Sequence, residues 1–132
     1  MQSNIDESSY AFASAIYQIG FSYDARENPA RCKYYKQAQD LSSPERHSDI
    51  FTSASLGLIS YCSDSSSPEV RLGKMFGVLK RYSNDGSPGE LAHIHNSIGL
   101  LYGSLEQHAL AAEQYLKAHE MGLQVYEGSN RV

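Results

Sequence analysis

Histidines are the residues of this chain whose spacing comes nearest to a chemical site. His93 and His95 form an HxH pair, but two helical steps of about 100° turn their rings roughly 200° apart. His108 and His119 are too far apart in sequence to share one ion. A zinc site using His95 and His108 has no cysteine or carboxylate spacing to support it. The pattern therefore predicts no metal site and no cofactor.

The potential nucleophiles fit no catalytic pattern either. None of the serines lies in a GxSxG or SxxK motif, and their positions at helix starts and turns account for most of them. The sequence GSPGE at 86–90 lacks the lysine and the spacing of a phosphate-binding loop. Cys62 has no identifiable neighbouring base. We therefore expect no catalytic residues and a protein that is not an enzyme.

Composition limits the class of protein. The chain has 132 residues, of which 41% are hydrophobic and 20% charged, which suits one globular domain with a modest core. Its net charge of −4 disfavours a nucleic-acid partner, whose phosphates attract basic surfaces. No apolar run approaches the roughly 18 residues that a membrane helix needs, so we expect no membrane partner.

Two features of the sequence favour a cytoplasmic location. The stretch 1–17 has no basic region before its apolar part, which argues against a secretory signal. Cys32 and Cys62 are too far apart for a CxxC site, and they could form one disulfide. We favour two reduced thiols, as is usual in a cytoplasmic protein.

Four prolines divide the chain, and each follows a residue that commonly caps a helix. The pairs are Asn28-Pro29, Ser43-Pro44, Ser67-Pro68 and Ser87-Pro88. Proline is well suited to the first helical position, where its missing N–H has no partner anyway. Ser87 with Glu90, and Ser104 with Gln107, also form capping-box patterns. These signals predict six helices, with starts between residues 7 and 10 and near 29, 44, 68, 88 and 105, and no strand.

Six small, aromatic or aliphatic residues are regularly spaced within the stretch 96–122. The positions are Ile98, Gly99, Tyr102, Ala111, Tyr115 and Ala118. Ala111 and Ala118 lie seven residues apart and face the same way on one helix. With Gly99 opposite, they let two helices pack near the short end of the usual separation of about 8–10 Å. Gly122 can end the second helix in a left-handed cap.

These six positions have the spacing of a tetratricopeptide repeat, a helix–turn–helix unit of about 34 residues, and the stretch resembles one. The pattern recurs in weaker form around Gly20 and Gly57, and KYYKQAQDL at 33–41 resembles the second helix of a Sel1-like repeat. The resemblance implies an all-α domain of three stacked antiparallel hairpins in a short right-handed superhelix. The hairpins would span 8–41, 44–82 and 88–122, followed by a frayed tail at 123–132.

In tetratricopeptide-like proteins the first helix of each hairpin lines a concave groove. The resemblance places nine residues there: Tyr17, Phe21, Asp24, Phe51, Leu58, Tyr61, His93, Asn96 and Leu100. Tyr17 and Phe21 take the first two positions at which chaperone-binding members carry a carboxylate clamp, so we expect no such clamp. An apolar groove suits a peptide or helix of a protein partner.

Three functions remain open at this point. The first is a non-catalytic module that binds a peptide or helix of a partner in the apolar groove. The second is a homodimer in which a second copy covers the groove or the C-terminal end, where five residues leave apolar surface: Leu110, Leu116, Met121, Leu123 and Val125. The third is a receptor for a small peptide or ligand that acts through a partner.

Overall fold

A computed structural model describes residues 2–24, 28–62, 67–84 and 86–129, without the side chains of 2–8, 24 and 125–129. Its six helices are α1 (Gln2–Asp24), α2 (Ala30–Asp40), α3 (Ser48–Tyr61), α4 (Pro68–Tyr82), α5 (Pro88–Ser104) and α6 (His108–Ser129). No strand occurs among these residues, so the all-α prediction is confirmed. None of the described helices is long and apolar enough to cross a membrane.

The helices belong to two compact units, Met1–Asp64 and Ser65–Val132. In the first unit α2 packs against both α1 and α3, which also contact each other. In the second unit α5 packs against both α4 and α6. The predicted hairpins at 8–41 and 88–122 each lie within one unit. The helices of the predicted hairpin at 44–82 belong to different units, and their pairing stays a prediction.

Serine caps start α4 and α5 at the predicted prolines. The Ser67 hydroxyl accepts a hydrogen bond from the backbone N–H of Val70 at 3.2 Å. The Ser87 hydroxyl accepts one from Glu90 at the same distance, 3.2 Å. Each bond satisfies one of the N–H groups that the first turn of a helix leaves without a partner. The sequence signal succeeds here because it is local.

The remaining Ser-Pro pair, Ser43-Pro44, does not start a helix. It forms part of a turn instead. The Ser43 hydroxyl accepts from the N–H of Arg46, and the Ser43 N–H donates to the Arg46 carbonyl, both at 2.8 Å. His47 then takes a left-handed backbone conformation with φ of 59°. α3 therefore begins at Ser48, and the predicted start near residue 44 is wrong.

The capping box predicted at Ser104 is also wrong. Its hydroxyl donates to a carbonyl of the preceding turn at 2.7 Å, so it does not cap α6. Glu106 has φ of 59°, in the left-handed region that turns the chain between α5 and α6. α6 consequently begins at His108 rather than near residue 105.

Two helices are longer than predicted. α1 begins at Gln2 rather than between residues 7 and 10. α6 continues past Gly122 to Ser129, so the predicted fraying of the tail is wrong for 123–129. A glycine ends a helix in a left-handed cap only with a positive φ, and no described glycine has one.

The first unit is packed around Tyr35 of α2, which is 1% exposed. A Cβ atom added to Gly20 of α1 would lie 3.0 Å from its ring, and one added to Gly57 of α3 would lie 2.7 Å from it. The ring therefore fits only because both neighbouring helices carry glycine where they face it. A cluster of buried apolar residues, three alanines and one isoleucine, continues the core: Ala13, Ala38, Ile50 and Ala54.

The second unit repeats this arrangement at the contact between α5 and α6. A Cβ added to Gly99 would lie 2.7 Å from the ring of Tyr115. Ala111 and Ala118 are buried on the same side of α6, as their spacing predicts. The small residues therefore allow α5 and α6 to pack closely, as the sequence predicts.

A disulfide joins Cys32 in the first turn of α2 to Cys62 just after α3, with their Cα atoms 5.7 Å apart. The expectation of two reduced thiols is therefore wrong for this structure. The packing of α2 on α3 brings the cysteines together across 30 residues of sequence, and their spacing alone carries no sign of it. The bond closes a covalent loop around the contact between these two helices.

Reduction should destabilise the first unit. A cross-link that closes about 30 residues removes chain entropy from the unfolded state worth about 3–4 kcal/mol. We expect the urea midpoint, followed by circular dichroism, to fall when the oxidised chain is treated with a phosphine reductant. The double variant C32S/C62S should have the lower midpoint with and without reductant. An unchanged midpoint for the wild type would show that the thiols are not cross-linked in solution.

Gly57→Ala should lower the free energy of unfolding by about 1–3 kcal/mol, because the buried ring of Tyr35 has no space into which to move. Gly77→Ala on α4 is the matched control, since a Cβ there meets nothing within 4 Å. That change should stabilise the chain by about 0.5–1 kcal/mol through helix propensity. Urea unfolding of both variants measures the difference. Equal effects of the two substitutions would refute the packing of Tyr35 against Gly57.

Candidate functional site

The predicted groove residues of the first unit differ in exposure. Phe21 on α1 is 56% exposed, and Tyr61 at the end of α3 is exposed as well. Tyr17, Phe51 and Leu58 are half-buried, and the side chain of Asp24 lies outside the described part of the chain. The exposed apolar surface of this set is therefore concentrated on the aromatic residues.

A line of aromatic rings connects the surface of α1 to the core. The ring centroids of Phe21 and Tyr17 are 6.3 Å apart, and those of Tyr17 and Tyr35 are 5.5 Å apart. Tyr35 is fixed between two glycines, so Tyr17 rests on a rigid base. We call the pair Tyr17 and Phe21 the aromatic patch. It presents an exposed ring whose neighbours are already ordered.

Tyr61 has a charged neighbour instead of an apolar one. The guanidinium carbon of Arg31 on α2 lies 4.1 Å from the centroid of its ring, which is cation–π geometry. Cys32 directly follows Arg31 in the sequence and Cys62 directly follows Tyr61, so the disulfide lies next to this contact. Tyr61 therefore takes part in the contact between α2 and α3, a role that its place in the repeat pattern does not predict.

The predicted groove residues of the second unit lie on one face of α5. His93, Asn96 and Leu100 are three and four residues apart, and all three are exposed. Partial burial lowers the pKa of the His93 imidazole, because desolvation disfavours its charged form, although over a third of the residue remains exposed. The face thus presents an imidazole, an amide and a leucine side chain. A groove continuous from α1 and α3 to α5 stays a prediction.

His95 has a structural role inside the second unit. Its Nδ1 and Oε1 of Gln114 on α6 are 2.7 Å apart, and both residues are buried. His108, the other half of the zinc pair considered above, is exposed at the start of α6. Among the described residues, no group of three histidine, cysteine or acidic side chains could hold a metal ion.

A polar contact between α1 and α3 was not predicted. The Tyr10 hydroxyl donates to Oδ2 of Asp49 at 2.6 Å. This hydrogen bond, more than partial burial, raises the pKa of Tyr10. The ring of His47 meets that of Tyr10 edge-on, with centroids 5.1 Å apart. The contact holds the turn before α3 against α1, and no local sequence signal connects residues so distant.

Comparison with known proteins gives this chain no relative. No protein-family model matches it, no curated protein is significantly similar to it, and no solved structure matches it. The tetratricopeptide-like interpretation therefore rests on the residues quoted above. Any function has to be argued from the surfaces that the two units present.

Gln114→Leu should destabilise the second unit by about 1–3 kcal/mol, because it leaves a buried imidazole nitrogen without a partner. The double variant H95L/Q114L should be more stable than the sum of the two single changes implies, with a coupling of about 0.5–3 kcal/mol. Urea unfolding of the four proteins measures the coupling. His108→Ala, at an exposed position, should change the stability by less than about 0.5 kcal/mol. Additive single effects would contradict a direct bond between His95 and Gln114.

Proposed function

We propose that this protein is a non-catalytic interaction module of the tetratricopeptide or Sel1-like kind, which binds a peptide or helix of a partner protein. The observation that carries the proposal is the aromatic patch. Phe21 is 56% exposed, while its neighbour Tyr17 rests on the buried ring of Tyr35. An aromatic residue on a rigid base loses little conformational entropy on binding, which is typical of the anchors of protein interfaces.

The chemistry around the patch favours an apolar segment as the partner. Phe51 and Leu58 of α3 are half-buried, and they belong to the unit that contains the patch. A hydrophobic helix or peptide binds such a surface by inserting side chains at regular spacing. Tyr17 and Phe21 stand where a carboxylate clamp would need polar residues, so the partner is recognised along its side rather than by its C-terminal carboxylate.

Self-association is the second candidate, and the exposed apolar side chains favour it. Phe12 and Phe21 in the first unit and Leu100 in the second are each more than half exposed. In a homodimer with two-fold symmetry, the surface around any one of these side chains would meet the same surface of a second copy. A receptor for a small peptide would use the same aromatic patch and act through a further protein.

The proposal includes the kind of cellular compartment in which the protein works. Thiols are kept reduced in the cytoplasm, whereas disulfides persist in oxidising compartments. The disulfide between Cys32 and Cys62, which joins two helices that pack on each other, therefore favours an oxidising compartment. The proposed module therefore works where this bond remains oxidised.

Phe21→Glu should weaken partner binding by about tenfold or more, because it places a charge in an apolar contact. Phe12→Glu is the matched control. Phe12 is 58% exposed, against 56% for Phe21, and lies nine residues earlier on α1. At about 100° per residue the two rings point in opposite directions. Both changes add the same charge to equally exposed positions, so only their place on the helix differs.

The binding partners for this test come from a display library of helical peptides, selected on the wild-type chain. Calorimetry should show that the selected peptides bind F12E as tightly as they bind the wild type, and bind F21E poorly. Equal binding to F21E would overturn the assignment of the patch. Light scattering over a dilution series distinguishes self-association, since a dimer that F21E dissociates would favour the homodimer instead.

A further inference from the structure

α6 has two faces of different character. Ala111, Gln114 and Ala118 are buried, and among the described helices α6 contacts only α5. The opposite side carries an exposed row of larger apolar residues. Leu116 is 59% exposed and Leu123 is 45% exposed, and they are seven residues apart. We call this side, from Ala109 to Leu123, the outer face of α6.

The outer face has the spacing of a helix that pairs with another helix. Ala109, Leu116 and Leu123 form one row with a period of seven, and Ala112 and His119 form the row beside it. All five residues are exposed. The two rows take the a and d positions at which coiled-coil helices meet, and His119 is their one polar member. Ala109 and Ala112 leave room at one end for larger side chains of a partner.

Glutamates follow one edge of the apolar row. Glu113 and Glu120 are also seven residues apart, and each lies about 40–60° around the helix from Leu116. In the coiled-coil register they take the e position, which sets the choice of partner through charge. Among the described residues neither forms an ion pair. A partner that covers the leucines would therefore come close to two unpaired negative charges.

We propose that the outer face of α6 binds an amphipathic helix of another protein, with leucine-like residues on its apolar side and lysine or arginine along the edge that meets Glu113 and Glu120. The leucines supply apolar contact, and the glutamates select the sign of the partner's charge. An uncharged or acidic helix would leave both carboxylates partly desolvated and unpaired, which costs binding energy.

A second copy of α6 fits this face less well than a basic helix does. In an antiparallel pair the e positions of the two helices face each other, which would oppose glutamate to glutamate. In a parallel pair each e position meets a g position, and the g residues of α6 are His108, Tyr115 and Gly122. Tyr115 packs against Gly99 and Gly122 has no side chain, so Glu120 would meet no cation, and only Glu113 would face a histidine, His108.

The outer face of α6 and the aromatic patch share no residue, and the test of the outer face does not depend on the proposal for the patch. The probe is a 21-residue helical peptide with leucine on one face and lysine on both edges. Two control peptides are compared with it. One has glutamate in place of lysine, and the other is a scrambled peptide of equal composition without an apolar face. Fluorescence anisotropy with the full chain gives the dissociation constants at low and at moderate salt.

The lysine peptide should bind at least tenfold more tightly than either comparison peptide, and added salt should weaken its binding. E113K/E120K should reverse the order of the lysine and glutamate peptides. Leu116→Lys should abolish the binding of both peptides. F21E should leave the binding of both peptides unchanged. Each altered side chain is exposed, and E113Q/E120Q, which should weaken the lysine peptide about tenfold, keeps the test valid if the charge reversal unfolds α6.

Three results would overturn the proposal. The first is equal binding of the lysine peptide and the scrambled peptide, which would mean that charge alone attracts them. The second is unchanged binding in E113Q/E120Q, which would remove the glutamates from the interface. The third is a dimer of the wild-type chain, seen by light scattering, that Leu116→Lys dissociates, because the face would then be occupied by a second copy.

Discussion

The ring of Tyr35 between Gly20 and Gly57 is the contact on which the first unit depends. Tyr35 is 1% exposed, and a Cβ on either glycine would come within about 3 Å of the ring. α1 and α3 can therefore both approach α2 only where they have no side chain. The same ring supports Tyr17, whose centroid is 5.5 Å away. The exposed aromatic patch thus obtains its rigidity from a buried residue that a partner would never touch.

The two units use the same packing device with different reinforcement. In each, a glycine on one helix admits a tyrosine ring from the next, Tyr35 in the first unit and Tyr115 in the second. The first unit adds a disulfide across α2 and α3, whereas the second adds a buried hydrogen bond from His95 to Gln114. The disulfide acts mainly by constraining the unfolded chain, whereas the buried polar pair stabilises the fold only while both partners are present.

Local signals in the sequence predicted the helices well, and signals that depend on distant residues did not. Ser67 and Ser87 cap their helices because the cap needs only the three residues that follow. Ser43 has the same Ser-Pro signal, yet the reciprocal bonds with Arg46 and the left-handed His47 delay α3. The disulfide and the Arg31–Tyr61 contact could not be predicted, because both arise only when α2 packs on α3.

The two proposed surfaces differ in how they would discriminate between partners. The aromatic patch offers a large, rigid apolar contact, which contributes affinity but accepts many hydrophobic segments. The outer face of α6 offers less aromatic area, but its two glutamates would disfavour any helix with acidic edges. Charge at the edge of a contact also accelerates association, and it does so in a salt-dependent way. Each surface would therefore have its own balance: Phe21 would contribute mainly affinity at the aromatic patch, and Glu113 and Glu120 would contribute mainly selectivity at the outer face of α6.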